Sequence, residues 1–346
     1  MIRFYCDYAE GAHPAVLQKL ADTNFVQTEG YGIDPYCQQA KECIQALCAS
    51  PEADVHFLVG GTQTNLTVIA AALRPYQGVI AADTAHICGH ETGAIEACGH
   101  KVLVQPNREG KLTARQVEQV WRAHMENESR EHDVQPGMVY ISNPTELGTL
   151  YSLDELEELS RVCRNRGLLL YLDGARLGYG LAAGDNTLTF RDLSRLCDVF
   201  YIGGTKQGAL FGEALVINCP QLKRNFRYLI KQRGGMLAKG RLLGLQFLAL
   251  LEDGLYLSLA RHADEMADLL RQALKQSGCP LLVDSRTNLV FAILPDAAAQ
   301  ELSKTYTFSL FQRMDESHGA FRFCTSWATK REDVDRLAKD ILRLMK

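Results

Sequence analysis

The chain is short of the features that mark most other functional classes. It has no basic excess: 37 Lys and Arg stand against 41 Asp and Glu, a net charge of −4, so no positive field is on offer to nucleic acid. Its longest apolar run, Leu242 to Leu251, falls well short of the roughly 20 residues that span a bilayer. The opening Met1-Ile-Arg-Phe-Tyr-Cys-Asp meets charge early and has no extended apolar region, so no secretory leader is expected and a cytoplasmic protein is. Eleven cysteines is an odd count with no Cys-x-x-Cys pair, which points to reduced thiols and away from a disulfide framework or a metal site. No repeat, low-complexity tract or Pro/Gly-rich linker interrupts the chain.

What is present is material for a large core, since 47% of the 346 residues are hydrophobic, enough for a main domain and a smaller one. Through about residue 220, apolar runs of strand length alternate with helical patterns, as in a parallel sheet covered on both faces. Capping-box spacings at Thr113 with Gln116, Ser152 with Glu155 and Thr329 with Glu332 predict helix starts, and Gly167 predicts the end of the helix that Ser152 opens. The polar stretch from Met125 to Gln135 predicts an exposed loop. From Arg233 to Lys275 the pattern turns helical, with Leu259, Ala263, Met266 and Leu270 recurring at three to four residue intervals. This stretch leads into a small domain with strands around Leu289 to Leu294 and Ala320 to Thr325, then a last helix.

Two central segments carry the chemistry. Leu168-Leu-Leu-Tyr-Leu-Asp173-Gly-Ala-Arg176 and Asp198-Val-Phe-Tyr-Ile-Gly-Gly-Thr-Lys206 are buried-strand runs that each deliver one charged residue at the carboxyl end, where open parallel sheets bind ligands. A lysine that forms a Schiff base and an acid that keeps a pyridine nitrogen protonated are the two groups pyridoxal 5′-phosphate needs. Upstream, Phe57-Leu-Val-Gly60-Gly61-Thr62-Gln63-Thr64-Asn65 runs from strand to helix, and its glycines, free amides and Thr62 hydroxyl suit a phosphate. It lacks the Gly-Lys-Ser/Thr of a Walker loop and the Gly-x-Gly-x-x-Gly of a dinucleotide site. His86 lies just past the next strand, Gly78 to Asp83, where an imidazole can stack on a pyridine ring or stand as a solvated loop residue.

Taken together, Gly-Gly-Thr-x-x-Asn, Ala-His86, Leu-Asp173-Gly-Ala-Arg176 and Thr-Lys206 resemble the threonine aldolases of the β-eliminating lyase group, pyridoxal phosphate enzymes of the aspartate aminotransferase fold. The resemblance runs from Gly30-Tyr31-Gly32-x-Asp34-Pro35 to Arg322. It implies an α/β fold with a mainly parallel sheet covered by helices and a smaller C-terminal α+β domain. It also implies a homodimer or homotetramer with sites at the subunit interface, acting on a small-molecule amino acid. Lys206 would hold the cofactor, Asp173 its ring nitrogen, His86 its face, Gly60, Gly61 and Thr62 its phosphate, with Asn143 and Thr205 as further cofactor contacts. Arg176 falls near the ring hydroxyl and the substrate carboxylate, and Arg322, between Phe321 and Phe323 on one strand, matches the arginine that clamps that carboxylate. His132, eleven positions before Asn143, and His86 are the candidates for the base that removes the β-hydroxyl proton (143 − 132 = 11).

The chain departs from the family pattern at three points. Cys6-Asp7-Tyr8 stands where Ser-Asp-Thr is usual, so Cys6 takes the place of a serine at the substrate carboxylate. Thr205 replaces the serine before the lysine, and the phosphate-binding arginine after Gly234-Gly235 is represented by Lys239 or Arg241. Tyr31 and one of those cations are expected to serve a neighbouring subunit, unless Tyr31 is a packing residue. The expected division is an N-terminal segment over residues 1–14 packing on the small domain, a large domain over 15–240 and a small domain over 241–346. The implied reaction is cleavage of a β-hydroxy-α-amino acid, of threonine or allo-threonine type, to glycine and an aldehyde. The alternatives are a β-eliminating amino-acid lyase and a cofactor-binding protein without turnover.

Overall fold

The structure, a computed structural model, describes residues 1–345. After a two-residue strand β1 (Ile2–Arg3), seven strands build the central sheet: β2 (Asp54–Leu58), β3 (Gln77–Ala82), β4 (Val102–Gln105), β5 (Gln135–Ser142), β6 (Leu169–Asp173), β7 (Val199–Gly203) and β8 (Glu213–Ile217). Their order is β2-β8-β7-β6-β5-β3-β4, and β8 alone runs antiparallel to its neighbours. Helices cover both faces, over two cores, one containing Ile80, Val139, Leu170 and Phe200, the other Val79, Met138, Tyr171 and Val199. Both cores draw on the same strands because neighbouring side chains point to opposite faces. The mainly parallel α/β architecture is as expected.

Local signals account for most helix ends that bear on the site. Thr113 and Ser152 form full capping boxes, and Gly167 ends the Leu153–Arg166 helix in the left-handed conformation (φ 66°), directly before β6. A third box, Thr189 with Asp192, opens the helix Phe190–Leu196. Thr329 is a correction: the last helix, Arg331–Leu344, is entered from Lys330, and the Thr329 hydroxyl instead accepts the Ser326 N–H at 2.7 Å. A closer local turn won the hydroxyl. The long apolar stretch after Gly240 is two helices, Arg241–Leu251 and Leu255–Gln276, broken at Glu252–Gly254, and Leu243 to Leu250 lie in the core, which explains their apolarity.

Further along stand β9 (Leu289–Pro295), β10 (Tyr306–Thr307), β11 (Ser309–Arg313) and β12 (His318–Cys324). They form a three-stranded antiparallel sheet, β11-β12-β9, while β10 pairs with β1. The N-terminal segment is tied to this part by that pairing, by the buried Phe4, and by the Cys324 N–H donating to the Phe4 carbonyl. It therefore carries Cys6, Asp7 and Tyr8 across to the edge of the central sheet.

Candidate active site

Strands β2, β3, β5, β6 and β7 point their carboxyl ends to one edge of the sheet, and β8, running the other way, brings its first residue, Glu213, to the same edge. A cavity of about 260 Å³ opens there. Its lining includes Gly60, Gly61, Thr62, His86, Asp173, Arg176, Thr205 and Lys206. An adjoining outer cavity of about 480 Å³ adds Cys6 and Arg322. The βα crossovers return the central strands to this one edge, and residues more than 300 positions apart, Cys6 and Arg322, meet there because the N-terminal segment pairs with the C-terminal strands.

Asp173 is 4% exposed and accepts from four donors. The Tyr140 hydroxyl (2.5 Å) and Asn65 Nδ2 (3.0 Å) donate to Oδ2; the Tyr201 hydroxyl (2.5 Å) and the Ala175 N–H (3.0 Å) donate to Oδ1. Burial, then the nearby Asp173 charge, lifts the phenols of Tyr140 and Tyr201 well above their ordinary range, so both stay donors. Asn65 also donates from Nδ2 to Glu91 at 2.7 Å and accepts from Tyr171 at 2.7 Å, and Glu91 holds His86 Nδ1 at 2.7 Å. One amide therefore joins the acid on β6 to the imidazole beyond β3. Burial opposes charge on His86, but the bond to Glu91 and the nearby Glu146 and Asp173 outweigh it and raise its pKa.

Lys206 follows β7 with its amine in the cavity. Burial and the Arg176 cation lower its pKa against the pull of Asp7, Glu146 and Asp173, which favours the nucleophilic neutral amine. Beside it, burial raises the Glu213 carboxyl to about 8; Oε1 accepts from Thr205 at 2.8 Å and Oε2 is buried without a partner. The Thr205 hydroxyl also accepts the Gly212 N–H at 3.0 Å, so it braces the lysine loop. Arg176 is engaged bidentately by buried Asp7, through Nε at 2.7 Å and Nη2 at 3.1 Å, which leaves Nη1 toward Glu146 Oε2 at 3.9 Å. Asn288 supports Asp7 at 3.0 Å.

Gly60 precedes the helix Gly61–Ala72, whose first amides have no intrahelical acceptor. A Cβ on Gly60 would meet nothing within 4 Å. Asn143, buried between cavity-lining Ser142 and Pro144, accepts the Tyr151 N–H at 3.0 Å and keeps Nδ2 unpartnered. On β12, Phe321 and Phe323 are buried while Arg322 points the other way into the outer cavity, with Nε unpartnered.

Four expected residues stand elsewhere. His132 lies exposed in the turn Arg130–His132, at the entry end of β5, whereas Asn143 follows the exit end, so eight strand residues, roughly 25 Å, separate it from its own chain's cavity. Tyr31, Lys239 and Arg241 are outside both cavities; Arg241 donates to the carbonyls of Asn24 and Val26. Tyr31 borders a separate crevice of about 30 Å³ with His56 and Arg227, too small for a cofactor. Reading from residues alone missed Asp7, Glu91, Glu146, Glu213 and the three tyrosines. One tyrosine on each of β5, β6 and β7 was the available signal.

Comparison with known proteins places this geometry. A family model described as "Beta-eliminating lyase" matches residues 6–297. The low specificity L-threonine aldolase of Pseudomonas aeruginosa is 31% identical, aligned over 99% of this chain and 98% of that protein. A solved structure of Leishmania major threonine aldolase is 45% identical and superposes with a TM-score of 0.97, covering 100% of both chains. A Thermus thermophilus aspartate aminotransferase, 16% identical, shares the fold alone, with a TM-score of 0.73 over 99% of this chain and 91% of that one.

Proposed function

The chain belongs to the β-eliminating lyase family, and we propose that it cleaves a β-hydroxy-α-amino acid of threonine type to glycine and an aldehyde with pyridoxal 5′-phosphate as cofactor. The observation that carries the reading is the meeting of Asp173, Lys206 and the Gly60–Thr62 turn around one cavity. The fit to the cofactor is supported by three features: open space at the Gly60 Cβ position for a phosphate, unpartnered Asn143 Nδ2, and a carboxylate at Asp173 fixed by four donors. Bound there, pyridoxal phosphate supplies an electron sink for the bonding pair released at the substrate Cα.

The chain's own groups set up that chemistry. Lys206 would present its amine, favoured toward the neutral form by burial and the Arg176 cation, to the cofactor aldehyde, and Asp173 would hold a proton at the ring nitrogen. His86, oriented through Nδ1 by Glu91, covers the ring face. Arg322, with Nη1 of Arg176, faces the substrate carboxylate, and fixing that carboxylate selects which bond at Cα stands ready to break. Tyr31 and Lys239 or Arg241 serve a partner's cofactor in this reading, supported by the exposed apolar stretch in the same region, with Phe25 94% and Ile33 64% exposed. The test is a visible absorption spectrum before and after borohydride, for the parent and Lys206→Ala, followed by product analysis with threonine, allo-threonine, phenylserine and cysteine. Glycine plus aldehyde is expected; pyruvate in place of glycine rejects the aldol reading in favour of β-elimination.

A further inference from the structure

An aldol cleavage needs a group that takes the substrate's β-hydroxyl proton, and His132, at the far edge of the sheet, does not reach the cavity of its own chain. Five side chains line both the inner and the outer cavity: Tyr8, His86, Glu146, Arg176 and Lys206. They line the passage between the two cavities, where the side chain of a substrate would lie if the cofactor fills the inner one. Arg176 is a cation held by Asp7, and Lys206 is given to the cofactor. Burial and the adjacent Cys6 and Asp7 push the Tyr8 phenol up, away from service as a base. His86 is fastened through Nδ1 by Glu91 and, in the reading above, is committed to the ring face.

Glu146 remains, and its position is fixed. It sits in a tight turn closed by the Thr145 N–H to the Thr149 carbonyl (2.9 Å), the Gly148 N–H to the Thr145 carbonyl (2.8 Å) and the Thr145–Thr149 hydroxyl pair (2.6 Å). The Ser142 hydroxyl donates to Oε1 at 3.1 Å, and Oε2 has only the distant Arg176 Nη1 at 3.9 Å, so a lone pair faces the cavity. We propose that Glu146 is the catalytic base of the cleavage, a role that rests on the aldol reading above. Oε2 takes the proton of the β-hydroxyl; the freed O–H pair closes the aldehyde C=O as the Cα–Cβ bond breaks. The Cα–Cβ pair stays with Cα, which regains a proton to give glycine, and Glu146 returns its own proton through the outer cavity. The sum is one β-hydroxy amino acid to glycine and aldehyde, with no net proton change.

The test compares Glu146→Gln and Glu146→Asp with the parent, all loaded with cofactor. Three quantities are read: threonine cleavage, glycine α-hydrogen exchange in D2O, and glycine affinity by absorbance titration. Glycine has no β-hydroxyl, so its exchange uses the lysine, the clamp and the ring but not this base. Glu146→Gln is expected to lose about 100-fold or more in kcat for threonine. Its glycine exchange is expected to stay within about threefold and its glycine affinity within about twofold, and Glu146→Asp recovers part of the cleavage. Parallel loss of exchange or glycine binding, loss of the cofactor colour, or unimpaired cleavage overturns the assignment. If the parent forms no glycine from any β-hydroxy amino acid, the aldol reading falls first, and this one with it.

Discussion

Replacing Asn65 by Leu tests the network behind the site most directly. The change keeps the branched shape but removes three buried bonds: to Asp173 at 3.0 Å, to Glu91 at 2.7 Å and from Tyr171 at 2.7 Å. Bonds to carboxylates contribute about 1.5–3 kcal/mol each and the tyrosine bond about 1 kcal/mol, so the loss is about 4–7 kcal/mol before relaxation. That is a large fraction of a typical folding free energy of about 5–15 kcal/mol. Asn65→Asp is harsher in a pH-dependent way, since a third carboxyl between Glu91 and Asp173 must hold a proton in the folded chain. A raised folded pKa makes the variant most stable in acid and weaker as pH rises. The assay is urea unfolding of the apo and cofactor-loaded forms at pH 5 and 8. A Leu variant within about 1 kcal/mol of the parent, or an Asp variant equally stable at both pH values, refutes the reasoning.

Asp264, 5% exposed and with both carboxyl oxygens unpartnered on the Leu255–Gln276 helix, has its pKa raised by burial to about 9. The folded chain keeps a proton that the unfolded chain releases near pH 4, so stability falls between about pH 4 and 9; Asp264→Asn should remove about 2–4 kcal/mol of that fall by pH 7, and parallel pH profiles in denaturation would count against it. Gly174→Ala would drive a Cβ to 1.8 Å from the Tyr201 carbonyl oxygen and should cost about 3 kcal/mol or more, whereas Gly60→Ala, with open space at its Cβ, should melt like the parent but bind pyridoxal phosphate more weakly. Thermal melts and cofactor titration check the pair; the opposite pattern sinks the phosphate assignment. His132→Gln should leave kcat within about twofold, and a larger drop would mean that the residue reaches a site on another subunit.

How much of this was legible in sequence depends on the range of the interaction. Residues at strand exits, Asp173 and Lys206, and the turn after β2 were readable because a period-2 apolar run announces where it ends and what it carries there. Capping boxes at Thr113 and Ser152 were readable for the same local reason, while Thr329 failed because two hydroxyl uses three residues away competed and sequence does not rank them. His132 was transferred by an interval along the chain, but a strand turns such an interval into distance: eleven positions that cross β5 carry a side chain from one edge of the sheet to the other.

The hidden part of the site is the part made of pairs. Asp7 and Arg176 are 169 positions apart, Asn65 and Asp173 are 108 apart, and Thr205 meets Glu213 only because β7 and β8 are antiparallel. No single residue in those pairs has a distinctive local context; each is an ordinary polar residue until the fold buries it. Burial then leaves little choice, since an unpaired charge at 0% exposure, as Asp7 would be without Arg176, costs several kcal/mol. In the proposed reading, the groups that hold the cofactor's ring and aldehyde are accordingly announced by strand ends, and the groups that aim them by nothing but contact. Glu146 belongs between the two sets: it follows a strand exit by four positions, within reach of local reading, yet what marks it is the company of His86, Arg176 and Lys206, which only the closed sheet assembles.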